Sequence, residues 1–196
     1  MSEAPHTGAP RQRSLRVAPL PEAERSSNPL LSTVGSLAAT NFFATLVKHP
    51  AVFRRWAPLG GALAAGLLPE RDRELLILRT AHRCGCSYAW EHHGVLARHA
   101  GLSADEIAAV QVGPSWPRWT AFDAALLRAV DELHDDASVT DETWALLRGH
   151  YGEAQLMEVP MLVGHYHAVS FVINALGIQI EPDFRVPGSL RDHLRD

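Results

Sequence analysis

Cysteine is scarce in this chain: the 196 residues contain only Cys84 and Cys86. Separated by one glycine, they cannot build a disulfide framework, and a reducing cytoplasm is the expected home. Basic blocks are missing too. With 18 Lys plus Arg against 22 Asp plus Glu, the formal net charge is −4, which leaves no electrostatic footprint for nucleic acid. No uninterrupted apolar run reaches about eighteen residues, so no membrane partner is expected. The nearest candidate, Met161 to Ile178, is interrupted by His165, His167 and Asn174 and reads as a central core helix. The first residues carry Pro5, Pro10, Arg11 and Arg13 where an export signal would need an apolar core. Alternation with period two never lasts beyond a few residues, so strands are not expected.

What is present is helical periodicity and 46% hydrophobic content, enough for one sizeable core. Residues 1–27 mix Pro, Ser, Arg and Glu without a period and predict a mobile N-terminal arm. Residues 28–181 form the helical domain, and 182–196 a C-terminal tail. After Asn28-Pro29, Leu37, Phe42, Phe43, Leu46 and Val47 make an apolar stripe that stops at His49-Pro50. A second helix from Ala51 carries Phe53, Trp56, Leu59 and Leu63. Ser103 and Glu106 are spaced as a capping box. Phe122, Leu126, Val130 and Leu133 predict an amphipathic helix that closes at Asp135-Asp136. Its acidic end, with Asp131 and Glu132, reads as a solvated face. Trp144, Leu147 and Tyr151 mark a short helix, and Gln155 to about Leu176 a long one ended by Gly177. The expected class is all-α, a compact bundle of about seven or eight helices.

Chemistry concentrates between Glu74 and His93, in two helices joined near Cys84-Gly85. If the first ends near Arg83 and the second begins near Cys86, Glu74 lies roughly 16 Å and His93 roughly 13 Å from the turn. An antiparallel hairpin would set them face to face. A carboxylate bonded to an imidazole fixes its tautomer and raises its basicity, as a general acid/base pair requires. The alternative is an acid near the helix start, favoured there by the dipole. Cys86 opens the second helix, where unpaired N–H groups favour a thiolate. Seven residues, roughly 10 Å of rise, separate it from His93, so the imidazole cannot take its proton directly.

The spacing Glu74, Cys86, Ala89, His93 resembles the signature of the carboxymuconolactone decarboxylase and AhpD-like alkylhydroperoxidase superfamily. NPLL at 28–31, FRRWAPLGGAL at 53–63, DRELLILR at 72–79, DELHDD at 131–136 and GHYHAVSFVINALG at 164–177 resemble its long bacterial members. The resemblance implies an AhpD-like helical bundle, obligate self-assembly, and either of two chemistries. In the decarboxylase chemistry no cofactor is needed: His93 protonates the carbanion left by carbon dioxide loss from a small organic acid, Glu74 orients it, and Cys86 is a polar pocket residue. In the peroxidase chemistry, Cys86 is oxidised by a hydroperoxide and resolved by Cys84. Ala89 stands where such peroxidases carry the second cysteine of their pair, which breaks the usual dithiol cycle. A third possibility is a noncatalytic ligand-binding or scaffold protein that kept the fold.

Tyr88, Trp90, His92 and His167 are the candidate substrate-binding residues, with Asn174 on the face of His167. Phe42, Phe43 and Trp56 are the expected contacts between copies in a homo-oligomer. No metal is expected. His165 and His167, two apart on a helix, point about 200° from each other and cannot share one.

Overall fold

The computed structural model describes residues 14–181 and contains, among them, nine α-helices, one 3₁₀ stretch and no strand. The short α1 (Glu22–Arg25) precedes the 3₁₀ segment Leu31–Ala39, then α2 (Asn41–Leu46), α3 (Pro50–Ala64), α4 (Glu70–Arg83) and α5 (Ser87–His99). The chain continues through α6 (Ala104–Val112), α7 (Ala121–Asp136), α8 (Asp141–Arg148) and α9 (Glu153–Leu176). The fold of the described residues is all-α, and α3 to α9 match the expected seven or eight substantial helices.

Helix α4 is the hub, packed against α5, α6, α7 and α9. Leu75, Leu76, Ile77 and Leu78 are all buried, so this helix has no solvated stripe along its middle. Each such side chain contributes roughly 1.5–3 kcal/mol by leaving water. Charged residues carried inward on α4 must therefore find partners. Asp72 accepts from the Tyr151 hydroxyl at 2.6 Å. Arg79 makes a two-pronged pair with Asp131, both contacts at 2.8 Å. Its remaining nitrogen donates to the Val110 and Gln111 carbonyls, at 2.8 and 3.1 Å, closing the end of α6.

Gly113 follows that helix end at φ +86, and a β-carbon there would lie 2.6 Å from the Arg79 guanidinium. Both the backbone conformation and the close approach thus demand glycine. At the other end of α4, Arg71 donates to Glu106 at 2.7 Å and Asp123 at 2.6 Å. These acids are the third residues of the Ser103 and Thr120 capping boxes. One guanidinium therefore ties the starts of α6 and α7 to α4.

Several expectations change. The helical stripe over 28–49 is two elements, because Gly35 at φ 56 interrupts the first and Thr40 opens the second by accepting from the Phe43 N–H. The acidic end of α7 is not merely a solvated face: Asp131 neutralises Arg79, and Glu132 accepts from Thr140 and Thr143 at 2.9 Å. Of the arm expected over 1–27, residues 14–27 are described and lie against the body. Arg16 and Val17 donate to the Leu176 carbonyl, and Leu20 to that of Ala44. Residues 1–13 of that arm, and the tail expected over 182–196, lie outside the described residues.

Phe42 is buried and packs edge-on against Phe43 and Trp56 within the chain. That cluster is largely intramolecular. Helix α9 alone among the described helices is long and apolar enough to cross a membrane by composition. It packs instead against α3, α4, α7 and α8, as the polar interruptions predicted.

The Arg79 pair supplies a stability test. Asp131→Asn leaves a buried guanidinium without its counter-charge and should cost about 3 kcal/mol. Asp136→Asn, on an exposed position of the same helix end, should stay within about 0.5 kcal/mol of wild type. Urea midpoints read at equal m-values measure both, and equal losses would remove Arg79–Asp131 from its structural role.

Candidate functional site

The site begins with a reversal of the chain. Cys84 caps α4, Gly85 takes a left-handed conformation at φ 58, and Cys86 precedes α5. Backbone bonds from Gly85 to His82 (3.0 Å) and from Cys86 to Ala81 (2.9 Å) satisfy carbonyls at the helix end. The Asn174 side chain donates to the Cys84 carbonyl at 2.8 Å, fastening the turn to α9. With so short a turn, α4 and α5 run antiparallel in contact.

That hairpin brings Glu74 and His93 together: Nδ1 of His93 lies 2.7 Å from Oε2 of Glu74. A carboxylate only accepts, so Nδ1 carries the hydrogen and Nε2 is the nitrogen available for proton transfer. Glu74 is 2% exposed and sits in the second turn of α4, beyond the reach of a first-turn dipole explanation. Its other oxygen is 3.5 Å from Arg73. Tyr166 of α9 meets His93 edge-on, with centroids 4.9 Å apart. Burial, with Glu74 nearby, pushes the Tyr166 phenol well above its ordinary range, so it stays protonated. Sequence reasoning missed Tyr166. The buried Leu162 and Ser170, four residues before and after it, were the available sign that it faces inward.

The other candidates are distributed differently. Tyr88 and His92, four apart on α5, stack at 4.4 Å and share Glu181. The Tyr88 hydroxyl donates to its Oε1 at 2.8 Å, and His92 Nε2 lies 2.9 Å from its Oε2. Burial opposes ionisation of Glu181, but bonds from His92, the Asn41 N–H and Tyr88 outweigh it and hold the carboxyl down at about 2. Glu181 follows the last helix, where no periodicity marks it. Trp90 packs between the two main core clusters. His167 meets His134 at 2.9 Å and the Val163 carbonyl at 2.8 Å, so its bonds are made away from the Glu74–His93 pair.

The sulfurs are poorly placed for attack. Cys86 is 1% exposed, among Phe42, Ala81, Ala89 and Val169. Cys84 is half-buried, and burial pushes its thiol up to about 11 despite the Ser170 hydroxyl and Arg83 nearby. Neither is joined in a disulfide. An open, largely apolar concavity of about 400 Å³ lies along α3, lined by Ala51, Val52, Arg55, Trp56 and Leu59. Trp56 stacks on His165 at 4.5 Å, and His165 meets Tyr166 at 5.6 Å. Aromatic rings thus run in contact from this concavity to His93.

Residues 50–134 match the Carboxymuconolactone decarboxylase family. No curated protein matches the chain. Among solved structures, an uncharacterized peroxidase-related protein with an alkylhydroperoxidase AhpD core, from Ralstonia eutropha JMP134, aligns with TM-score 0.73 and 18% identity over 87% of this chain and 95% of its own. A Cys-to-Ala variant of the debrominase Bmp8, bound to 2,3,4-tribromopyrrole, aligns with TM-score 0.72 and 16% identity over 93% and 99%. A protein of unknown function from Agrobacterium tumefaciens, provisionally assigned to antioxidant defence as AhpD, aligns with TM-score 0.64 and 23% identity over 69% and 94%. At these identities the likeness is one of fold.

Glu181 gives a pH-dependent prediction. Its folded pKa of about 2 lies below the ordinary 4.5, so its contribution is complete above pH 4.5 and disappears as acid carries the pH down through 2. Glu181→Gln should cost roughly 1–3 kcal/mol at pH 7. Denaturant unfolding at pH 7 and pH 3 should show the gap to wild type narrowing in acid. A gap constant with pH would mean that ionised Glu181 is not what holds Tyr88 and His92.

Proposed function

The chain belongs to the carboxymuconolactone decarboxylase and AhpD-like superfamily, and on that premise we propose a cofactor-free acid/base enzyme acting on a small organic acid. The observation that carries this is the 2.7 Å contact between buried Glu74 and His93. Loss of carbon dioxide from a lactone or unsaturated acid breaks a carbon–carbon bond and leaves its electron pair delocalised as an enolate. His93, as imidazolium, gives its Nε2 proton to the carbon, and Glu74 stabilises the cation and holds the ring. Water then returns a proton to the imidazole. The reverse proton movement on the same nitrogen would serve a related lyase or isomerase step.

The concavity along α3 is the candidate docking surface, and the contacting rings of Trp56, His165 and Tyr166 that separate it from His93 would have to move aside for substrate to reach Nε2. Its walls are apolar and Arg55 at its margin is suited to meet a substrate carboxylate. Tyr166, held protonated, can donate a hydrogen bond beside His93. Self-assembly belongs to the same proposal: a second copy set against the exposed Val52 and Leu59 would close this concavity into a pocket shared between copies. A cytoplasmic setting accords with two cysteines that are not joined in a disulfide.

Burial of both sulfurs supports this chemistry over hydroperoxide reduction by Cys86 with Cys84. The two are separated by three variants assayed for carbon dioxide release across carboxymuconolactone and related acids, and for thiol-dependent reduction of an organic hydroperoxide. His93→Ala should lower decarboxylation about 10²- to 10⁴-fold. Glu74→Gln should lower it about 10-fold or more through the imidazole it orients. Cys86→Ala should keep a substantial share of wild-type activity. Hydroperoxide turnover lost in Cys86→Ala would install the thiol mechanism instead, and tight retention of an acid without turnover would identify a binding protein.

A further inference from the structure

The turn after α4 brings together three donors that belong to neither the Glu74–His93 pair nor the Glu181 cluster. Cys84 Sγ, one ring nitrogen of His134 on α7 and one of His167 on α9 all lie within 4.8 Å of one another. They come from three separate helices or helix ends, and all three residues are half-buried. Ten residues, about 15 Å of helical rise, separate Cys84 from Glu74 along α4. We propose that Cys84, His134 and His167 form a binding site for a borderline-soft divalent metal of the zinc type, with a fourth position open to water or a small ligand.

The donor set is the first argument. One thiolate and two imidazoles are the ligand types that zinc selects, and three protein ligands with a vacant position match its open sites. Tetrahedral zinc, with bonds of about 2.3 Å to sulfur and about 2.0–2.1 Å to nitrogen, sets its ligands about 3.3–3.6 Å apart. The two imidazoles stand 2.9 Å apart. These nitrogens must open by roughly half an ångström, while the sulfur, within 4.8 Å of both, closes by about 1.2 Å or less.

The orientation of His167 is the second. Its Nδ1 is 2.8 Å from the Val163 carbonyl, an acceptor only, so Nδ1 carries hydrogen and Nε2 is directed at His134. An imidazole held by one N–H on a backbone carbonyl, with the other nitrogen presented, is the usual outer support of a metal-bound histidine. The turn itself is fixed by Asn174 on the Cys84 carbonyl.

The proton balance is simple. In the metal-free cluster a neutral His134 donates from Nδ1 to Nε2 of His167. On binding, His134 moves that hydrogen to its own Nε2 and coordinates through Nδ1. The Cys84 thiol becomes a thiolate, and its one proton passes to solvent. No electrons are transferred. A metal on Cys84 would also withdraw it from any sulfur exchange with Cys86.

The test uses the full chain, stripped with chelator and desalted, titrated with cobalt(II) as a spectroscopic stand-in and then with zinc. Expected are a thiolate-to-cobalt charge-transfer band, visible bands of four-coordinate intensity, saturation at one equivalent per chain, and bleaching by zinc. These belong to the wild-type protein and depend on no variant. Cys84→Ser should abolish the charge-transfer band, and His134→Ala and His167→Ala should each weaken zinc binding at least about 100-fold by calorimetry. Cys86→Ser and the surface change His99→Ala should leave both unchanged. A wild-type titration without the charge-transfer band overturns the site, as does a band that survives Cys84→Ser. Zinc affinity indifferent to His134 and His167 would assign any binding to scattered surface histidines and overturn it equally.

Discussion

A helix buried along its whole middle cannot leave its charges unpaired, and α4 carries three of them inward. Asp72, Glu74 and Arg79 are each 9% exposed or less, and the cost of an uncompensated charge at such positions is several kcal/mol. Tyr151, His93 and Asp131 meet them. These partners come from the segment before α9, from α5 and from α7. Every inward charge on α4 therefore selects a neighbour and fixes its register. The apolar surface of Leu75 to Leu78 holds the bundle together without direction, whereas the charged contacts choose among similar packings.

The candidate active site is one of those three pairs rather than a feature added to a finished scaffold. Glu74 needs a partner for the same reason that Asp72 and Arg79 do. What distinguishes its partner is that His93 retains a second ring nitrogen and lies beside Tyr166 at the inner end of a line of aromatic rings. Structural necessity and chemical use coincide there: a burial that fixes the carboxylate also fixes the imidazole tautomer. Cys86, one residue past the turn, fills a place in the apolar cluster instead.

Local patterns in the chain were legible where the physics is local. The Ser103–Glu106 capping box, the turn at Cys84-Gly85, the long helix through Met161 and its stop at Gly177 follow from spacing, from backbone freedom at glycine and from periodicity. The facing of Glu74 and His93 followed too, because two helices joined by so short a turn have little choice of arrangement. The acidic end of α7 was misread as solvated throughout, since nothing near Asp131 in the chain names Arg79, fifty-two residues earlier, as its counter-ion. Glu181 escaped for a similar reason: a carboxylate beyond the last helix acquires meaning only when the chain returns it to Tyr88 and His92.

The amino-acid order alone determined an all-helical chain with a central apolar helix, the hairpin and its acid–imidazole pair, because each depends on contacts a few residues or one turn apart. Tertiary structure decided what each remaining polar side chain is for. It placed His167 against His134 and Cys84, although the spacing of ligand types along the chain gave no zinc pattern, and it sealed Cys86 in the core, although its place at a helix start favours a thiolate. The physical reason is that periodicity specifies which face of a helix turns inward. Which residue of another helix waits there is set only when the helices pack.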